Sequence, residues 1–383
     1  MSRFTSRMVI LLVVLVGGLF GRSLLAATVV VGPNTCQPSL VHFSTIQGAV
    51  SAVPFNTIIL VCPGIYPEQV VITQPTTLKG ITDGTGDAAI ISVPPSGLVQ
   101  NATSSTVGPV AAQLLVENTV GVTVQNLTID GAGAGCVPGA NRIFGLEYYF
   151  VGTPVDGVSA GKIQNVVVRN QAGGCTIGDG IELDNSFVTV TANEVHDIDI
   201  TPIGTYAGKA SITNNTTQNA LNGIVVNGSG VGTVVSGNTS SHLTPNFGYV
   251  QVGLWVNGGA AALSKNIVTA APGGYGIYLP YTGAGTKVTG NQVSNVYYGV
   301  YMFGASSTVV QSNTINNAAA DGIVDVFSGG GNIVTKNSVD EAFYGIFHDA
   351  SASADTLTPN SYFNVTITID PNPIGSGPNT SAY

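Results

Sequence analysis

The chain has 383 residues, of which 44% are hydrophobic and only 8% are charged, and its formal net charge is −9. This charge excludes nucleic acid as a partner, because an acidic protein repels phosphate backbones. The length is large for one compact core, but a repetitive fold that grows linearly escapes that limit.

The first 27 residues have the organisation of a secretory signal peptide. Two arginines precede an apolar run at residues 8–20, and small residues follow at Ala26 and Ala27. We therefore predict a secreted, periplasmic or cell-surface protein with no membrane contact beyond the cleaved signal. An uncleaved membrane anchor is the alternative, because Arg22 and Leu25 depart from the usual approach to a cleavage site.

Export permits disulfide bonds, and the chain has four cysteines, which allow three pairings. The most local pairing joins Cys36 with Cys62 and Cys136 with Cys175.

Residues 43–53, FSTIQGAVSAV, predict a short amphipathic helix. Ser44 is the candidate N-cap, and Ile46, Val50 and Val53 are the apolar positions. Such a helix would cover the open amino-terminal end of a repetitive fold. The segment that follows, NTIILVCPGIYPEQVVI, predicts a strand, a Pro-Gly break and a second strand.

Further strands are recognisable before the regular repeats begin. Apolar and polar residues alternate in residues 114–131, and Gly180 and Gly223 begin the strand-like segments GIELD and GIVVN. Residues 133–161 are the least regular stretch and predict a projecting loop or hairpin.

Five glycines recur every 23 residues, and each begins a strand-like segment: Gly253, Gly276, Gly299, Gly322 and Gly345. A fixed period of roughly 20 to 50 residues indicates a stacked solenoid. The residue after each glycine is apolar, and strand alternation places this column in the core. A second column predicts a ladder of turn asparagines: Asn266, Asn291, Asn313 and Asn337.

The segment FSTIQGAVSAVPFNTIILVCPGIYPEQVVI resembles the amino-terminal cap and first coil of the right-handed parallel β-helix proteins of the pectin-lyase-like superfamily. The later units resemble the generic β-helix repeat of the same superfamily. The resemblance covers residues 29–363. We therefore predict an all-β, single-stranded right-handed parallel β-helix over residues 28–363, with a short N-terminal capping helix and a C-terminal tail at residues 364–383.

The superfamily includes polygalacturonases, pectate and pectin lyases, pectin methylesterases and proteins without known activity, so the fold alone does not select an activity. The motifs typical of polygalacturonases and of pectin methylesterases are missing from this chain. After the predicted signal only two arginines remain, Arg142 and Arg169. Because lyases that act on uronates commonly use a basic residue, an acidic polysaccharide is a poor first choice of ligand.

Outward-facing positions next to the core column, with the tyrosines that precede the glycines, predict an aromatic surface: Trp255, Tyr275, Tyr278, Tyr298, Tyr301 and Phe347. Aromatic faces suit the apolar faces of sugars, and tyrosine hydroxyls suit their polar edges. The predicted partner is a polysaccharide or a cell-surface glycan. The alternative is an aromatic stack that only stabilises the solenoid, or one that the tail covers.

Acidic residues cluster between Asp179 and Asp199. Asp179, Glu182 and Asp184 are candidate ligands for calcium, the one cofactor that the sequence suggests. Glu182, Asp184 and His196 are candidate catalytic residues for acid–base cleavage of a glycan. A polar turn region without a chemical role is the third interpretation.

Asp325 and His348 occupy the same core-facing strand position in successive coils. A buried aspartate beside a histidine would be satisfied mainly by that pairing. The pair is either a structural ion pair or a catalytic dyad.

The sequence as a whole predicts an exported β-helix protein that presents an aromatic surface to a glycan, without a recognisable complete catalytic motif. The alternative is a carbohydrate-active enzyme, either a polysaccharide lyase or a glycoside hydrolase, that uses the acidic cluster at residues 179–199.

Overall fold

The computed structural model describes residues 26–82, 87–151, 160–172, 174–228, 232–244, 248–269, 273–349, 355–369 and 380–382. The predicted signal peptide lies outside the described residues except for Ala26 and Ala27, and so does most of the predicted tail. Within the described part of the chain, no helix is both long and apolar enough to cross a bilayer.

Short strands wind around three faces, and one passage around the three faces makes one coil. The first face is a 13-stranded sheet of, in spatial order, Val41–Phe43, Thr28–Val31, Thr57–Val61, Thr76–Gly80, Val122–Gln125, Gly161–Gln164, Phe187–Thr191, Lys209–Thr213, Thr233–Ser236, Ala261–Ser264, Lys287–Thr289, Val309–Gln311 and Ile333–Thr335. The second face contains Gly64–Pro67, Ala89–Ser92, Thr128–Asp130, Val167–Gln171, Glu194–Ile198, Thr216–Gln218, Thr239–Ser241 and Ile267–Thr269.

The third face contains Val70–Ile72, Gly108–Glu117, Arg142–Tyr149, Ile177–Asp184, Ile203–Tyr206, Asn222–Asn227, Val252–Asn257 and Tyr275–Pro280. Longer strands then run through the second and third faces together: Gln292–Phe303, Thr314–Val326, Ser338–His348 and Ser361–Ile369, with Thr380–Ala382 paired to the last. Among the described strands, the only antiparallel pair is Ala102–Ser104 with Gly108–Glu117. The predicted parallel β-helix is confirmed.

The 23-residue glycine column is set by close packing inside the coils. An added Cβ on Gly276 would lie 2.2 Å from Cγ1 of Val293 and 2.6 Å from the carbonyl oxygen of Gly299. None of the five glycines has a positive φ. The column therefore marks where one strand passes directly over the next, and the apolar residue after each glycine is buried as predicted.

The predicted asparagine ladder is confirmed and is longer than the sequence indicated. Each side-chain Nδ2 donates to Oδ1 of the asparagine in the next coil at 2.9–3.0 Å. The members are Asn193, Asn215, Asn238, Asn266, Asn291, Asn313, Asn337 and Asn360. The same Oδ1 atoms accept backbone N–H groups, so the ladder satisfies buried main-chain groups at a corner that no sheet reaches.

Asn291→Ala is expected to lower the free energy of unfolding by about 3 kcal/mol, because buried partners lose their hydrogen bonds. The backbone N–H of Asn266 and the carbonyl of Leu263 both bond to the Asn291 side chain. Chemical denaturation measures the change. Asn316→Ala, at an exposed position, is the control and should cost less than about 0.5 kcal/mol. Equal losses in the two variants would show that the ladder does not stabilise the fold.

The capping helix spans Ile46–Ala52, within the predicted range, but its N-cap is Thr45 and the prediction of Ser44 was wrong by one residue. The Thr45 hydroxyl accepts the N–H of Gly48 at 3.1 Å. The carboxylate of Glu68 accepts two further N–H groups of the first turn, at 2.8 and 2.9 Å. Because Glu68 belongs to the first coil, between the strands Gly64–Pro67 and Val70–Ile72, this contact fixes the helix on the end of the solenoid.

The prediction of a projecting loop at residues 133–161 was wrong for its central part. Residues Arg142–Tyr149 form a strand of the third face, paired with Gly108–Glu117 and with Ile177–Asp184. Gly145 has the same packing role in this strand as the periodic glycines have in theirs, because an added Cβ would lie 2.4 Å from Cγ1 of Val168. Residues 152–159 lie outside the described part.

Two disulfide bonds form, Cys36 with Cys62 and Cys136 with Cys175, which is the local pairing predicted from the sequence. At the other end, the strand Ser361–Ile369 continues past residue 363, where we predicted the tail to begin.

Candidate functional site

Five aromatic side chains of the third face lie in contact with one another. Strand register places Trp255, Tyr278 and Tyr301 side by side in successive coils, and Tyr275 beside Tyr298. Their ring centroids are 5.1–5.8 Å apart. We call these five residues the aromatic group. Each ring is partly buried by its neighbours and partly exposed to solvent.

Phe347, the sixth predicted member, lies apart from the aromatic group. Val324 occupies the column between Tyr301 and Phe347. Asp321 similarly occupies the column between Tyr298 and Tyr344. Phe347 contacts Tyr344 at a centroid distance of 5.3 Å. The predicted surface is thus interrupted by one coil that has no aromatic residue in either column.

A groove of about 440 Å³ runs beside the aromatic group. Its walls are mostly apolar and include Trp255, Tyr275 and Tyr278, with Arg142 and Asn222 as polar members. The same Arg142, Asn222 and Trp255 also line a smaller cavity of about 150 Å³. The groove and the smaller cavity are therefore adjacent and share a wall. We call the smaller space the carboxyl cavity, because Asp179 and Glu182 line it.

The carboxyl cavity is built around Glu182, in the same outward column as Trp255. The residue between Glu182 and Val225 in that column is Gly204, which contributes no side chain. An added Cβ on Gly204 would lie 2.4 Å from Oε2 of Glu182, so the glycine makes room for this carboxyl group. Asp179 and Tyr206 complete the polar lining.

Glu147 and Glu182 are neighbours in register on adjacent strands, and both are almost fully buried. Neither oxygen of Glu147 has a hydrogen-bond partner, and Oε1 of Glu182 has none. Burial raises the pKa of Glu147 to about 8 and, with the nearby carboxylate of Asp179, raises the pKa of Glu182 well above its usual value. The carboxyl group of Glu182 therefore keeps its proton to a higher pH than an exposed glutamate does.

The carboxyl group of Asp179 has a different environment, because Arg142 and the backbone N–H of Thr201 contact it. Burial raises its pKa to about 6, while Arg142 and the N–H of Thr201 oppose that rise. Arg142 Nη1 lies 3.4 Å from Oδ2 of Asp179, and the Thr201 N–H donates to Oδ1 at 2.8 Å. The cavity thus contains two carboxyl groups with raised pKa values, of which only Asp179 is held by a cation and a backbone N–H.

Asp184, predicted as a catalytic or calcium-binding residue, does not line the cavity. Its carboxylate accepts Ser104 Oγ at 2.9 Å and the N–H of Ser105 at 2.6 Å, which ties down the antiparallel hairpin. Among the described residues, Asp179, Glu182 and Asp184 do not form a group whose ligand atoms lie within 4.8 Å of one another. The geometry does not favour calcium at these three residues.

His196, the other predicted catalytic residue, lies on the strand Glu194–Ile198 of the second face, whereas Glu182 is on the third. Its Nδ1 contacts Oδ2 of Asp197 at 2.6 Å. The structure therefore does not bring His196 into the carboxyl cavity.

Arg142 and Glu147 were not assigned to the site from the sequence, and neither were Tyr206 and Asn222. The first two lie in the stretch that we predicted as a loop. The signal was present, because Gly145 precedes LEYY as Gly180 precedes IELD, with glutamate at the same position. The strand that contains Tyr206, by contrast, begins without the periodic glycine, so the glycine column gave no signal for it.

Glu147→Gln is expected to make stability less dependent on pH. Because the folded-state pKa of about 8 exceeds the unfolded value near 4.5, the folded protein binds the extra proton, and stability falls as the pH rises between these values. Relative to wild type, the variant should gain roughly 3 to 5 kcal/mol between pH 4.5 and 8.5. Urea denaturation at both pH values measures this, and parallel profiles would contradict the buried-acid assignment.

Inside the coils, Asp325 and His348 are neighbours in register, as predicted. The sequence did not indicate their third partner, Asp355, whose Oδ2 lies 3.6 Å from Nε2 of His348. All three side chains are buried. The predicted pair is thus part of a three-residue cluster.

Residues 222–369 match the family described as the right-handed β-helix region. No curated protein matches the chain by sequence. Similar solved structures include the GH136 lacto-N-biosidase from Eubacterium ramulus, 12% identical over 90% of this chain and 67% of that one, with a TM-score of 0.58. A variant GH87 α-1,3-glucanase catalytic domain with nigerose is 13% identical, over 88% of this chain and 67% of that one, with a TM-score of 0.60.

A PL6 alginate lyase in complex with a trisaccharide is 12% identical, over 90% of this chain and 87% of that one, with a TM-score of 0.51. At such identities the likeness concerns the fold alone. The coils, the family match over residues 222–369 and these structures together show that the chain has a right-handed parallel β-helix fold.

Proposed function

We propose that the protein binds a neutral glycan in the groove, with sugar rings on the aromatic group and one end of the glycan at the carboxyl cavity. The observation that carries this proposal is the shared wall, because Trp255 lines both spaces. A sugar stacked on Trp255 would have its polar edge within reach of the cavity's carboxyl groups. Stacking of apolar sugar faces on aromatic rings supplies the affinity.

Electrostatics favours a neutral ligand over an acidic one. The formal net charge of −9 repels polyanions. Among the residues that the structure describes, Arg142 is the one cation that lines either space, and it pairs with Asp179. A uronate carboxylate would therefore compete with an existing ion pair and would approach two further acidic groups.

The similar structures support a carbohydrate ligand. Each of the three is a carbohydrate-active protein, and two of them contain a bound sugar. The two disulfide bonds support export to a secreted, periplasmic or cell-surface location, where such glycans occur.

A glycan array that contains neutral and uronate polysaccharides tests the ligand class. We expect retention on neutral glycans that weakens little with added salt, because stacking rather than charge provides the affinity. Retention only on uronates, lost at high salt, would contradict the proposal, as would no retention on any glycan.

A second candidate function is hydrolysis of that glycan, and the different environments of the Glu182 and Asp179 carboxyl groups favour it. The neutral carboxyl group of Glu182 would donate its proton to the glycosidic oxygen as the bond to the sugar carbon breaks. A water molecule would add to that carbon, and its proton would pass to the ionised carboxylate of Asp179. Activity would then rise as the pH passes about 6, the pKa of Asp179.

A further inference from the structure

A second group of buried ionisable side chains lies inside the coils. Asp325, His348 and Asp355 are 0%, 3% and 5% exposed. One ligand atom from each lies within 4.8 Å of the others. None of the three lines the groove or the carboxyl cavity. This cluster is therefore separate from the proposed glycan site.

The imidazole of His348 has no hydrogen bond, although it is buried. Neither ring nitrogen has a hydrogen-bond partner, and the nearest charged atom is an Asp355 oxygen at ion-pair distance. Nε2 points toward Asp355 but stops 3.6 Å from Oδ2, which is too long for a hydrogen bond. A buried nitrogen lone pair without a partner is costly. Its orientation toward two carboxyl groups suits a ligand held between them.

The two carboxyl groups are already oriented by their neighbours. Asp355 accepts the hydroxyl of Ser328 at 2.9 Å and the N–H of Asn332 at 2.6 Å. The side-chain Nδ2 of Asn332 also lies 3.2 and 3.3 Å from the two oxygens of Asp325. Such outer hydrogen bonds hold metal ligands in place in proteins.

The cluster offers a cation one imidazole and two carboxyl groups. Among the described residues, no lysine or arginine pairs with Asp325 or Asp355. A divalent ion that displaces the protons of these side chains would be neutralised by the two carboxylates and bound by the neutral imidazole. We propose that Asp325, His348 and Asp355 bind one divalent transition-metal ion of the zinc class.

The imidazole selects this class, because calcium and magnesium prefer oxygen ligands alone. Ligand atoms at about 2.0 to 2.1 Å from a tetrahedral ion lie roughly 3.4 Å apart. Nε2 of His348 and Oδ2 of Asp355, 3.6 Å apart, are already close to that spacing. The ion would connect the strands Thr314–Val326 and Ser338–His348 with the segment that holds Asp355, and so stabilise this end of the solenoid.

Titration of the purified, chelator-stripped full chain with zinc chloride tests the proposal. We expect one tight equivalent of zinc per chain, a higher melting temperature with zinc, and no comparable effect of calcium or magnesium. His348→Gln and Asp355→Asn should each weaken zinc binding at least about 100-fold. Cobalt bound in place of zinc should show visible ligand-field absorption that both variants lose.

His196→Gln and His242→Gln are the matched controls. His196 is the other histidine beside an aspartate, and His242 lies at the surface near Ser241. Both variants should bind zinc as the wild type does. Circular dichroism checks that all variants fold. The zinc titration of the wild-type protein tests the proposal even if a variant does not fold. Absence of a tight zinc equivalent in the wild type, binding of calcium in its place, or zinc binding that survives in folded His348→Gln would overturn the proposal.

Discussion

The double substitution of Trp255 and Tyr278 by alanine is expected to weaken glycan binding by at least about 30-fold, which corresponds to about 2 kcal/mol. The two rings are adjacent in the aromatic group, with centroids 5.7 Å apart, and both line the groove. Their removal takes away two stacking surfaces at once. Affinity electrophoresis or calorimetry with the glycan found on the array measures the loss.

Phe55→Ala is the control for this experiment. Phe55 is 70% exposed and lies between the capping helix and the strand Thr57–Val61, away from the groove. Its removal should leave affinity unchanged. If the double variant and the control bind equally well, the aromatic group only stabilises the solenoid.

Glu182→Gln is expected to reduce hydrolysis of the bound glycan by at least about 100-fold, because it removes the proton donor. Glutamine retains the shape of the side chain, so glycan affinity should change little. Release of reducing ends, measured beside affinity, separates the two effects. The wild-type rate should also rise as the pH increases through about 6, where Asp179 ionises.

Glu194→Gln is the matched control for catalysis. Glu194 belongs to the acidic stretch predicted from the sequence, but its side chain is exposed on the second face. Its loss should leave the rate unchanged. If the wild type releases no reducing ends from any glycan that it binds, hydrolysis is ruled out and glycan binding remains.

The repetitive part of the fold was predictable because each coil repeats the same packing problem. Gly276 and its equivalents must lack a side chain where strands cross, and Asn291 and its equivalents must satisfy the same corner. A single sequence therefore shows both columns several times. The helix cap was less predictable, because Ser44 and Thr45 are both good caps and the choice depends on the contact of Glu68 with the first turn.

The site was harder to predict, because it depends on irregular coils. Arg142 and Glu147 enter it through a strand whose spacing from the next glycine-led strand is not 23 residues. Gly204 creates the cavity by the side chain it lacks, which no search for chemical groups would detect. Asp355 reaches His348 from a segment without regular strand structure, so only the fold reveals the cluster.

Intrinsic fluorescence tests the central claim most directly, because Trp255 is the only tryptophan in the chain and lines both the groove and the carboxyl cavity. A neutral oligosaccharide that the protein retains should change the tryptophan emission in a saturable way, with the same dissociation constant as calorimetry gives. Saturable binding by calorimetry with unchanged tryptophan emission would place the glycan elsewhere and contradict the account.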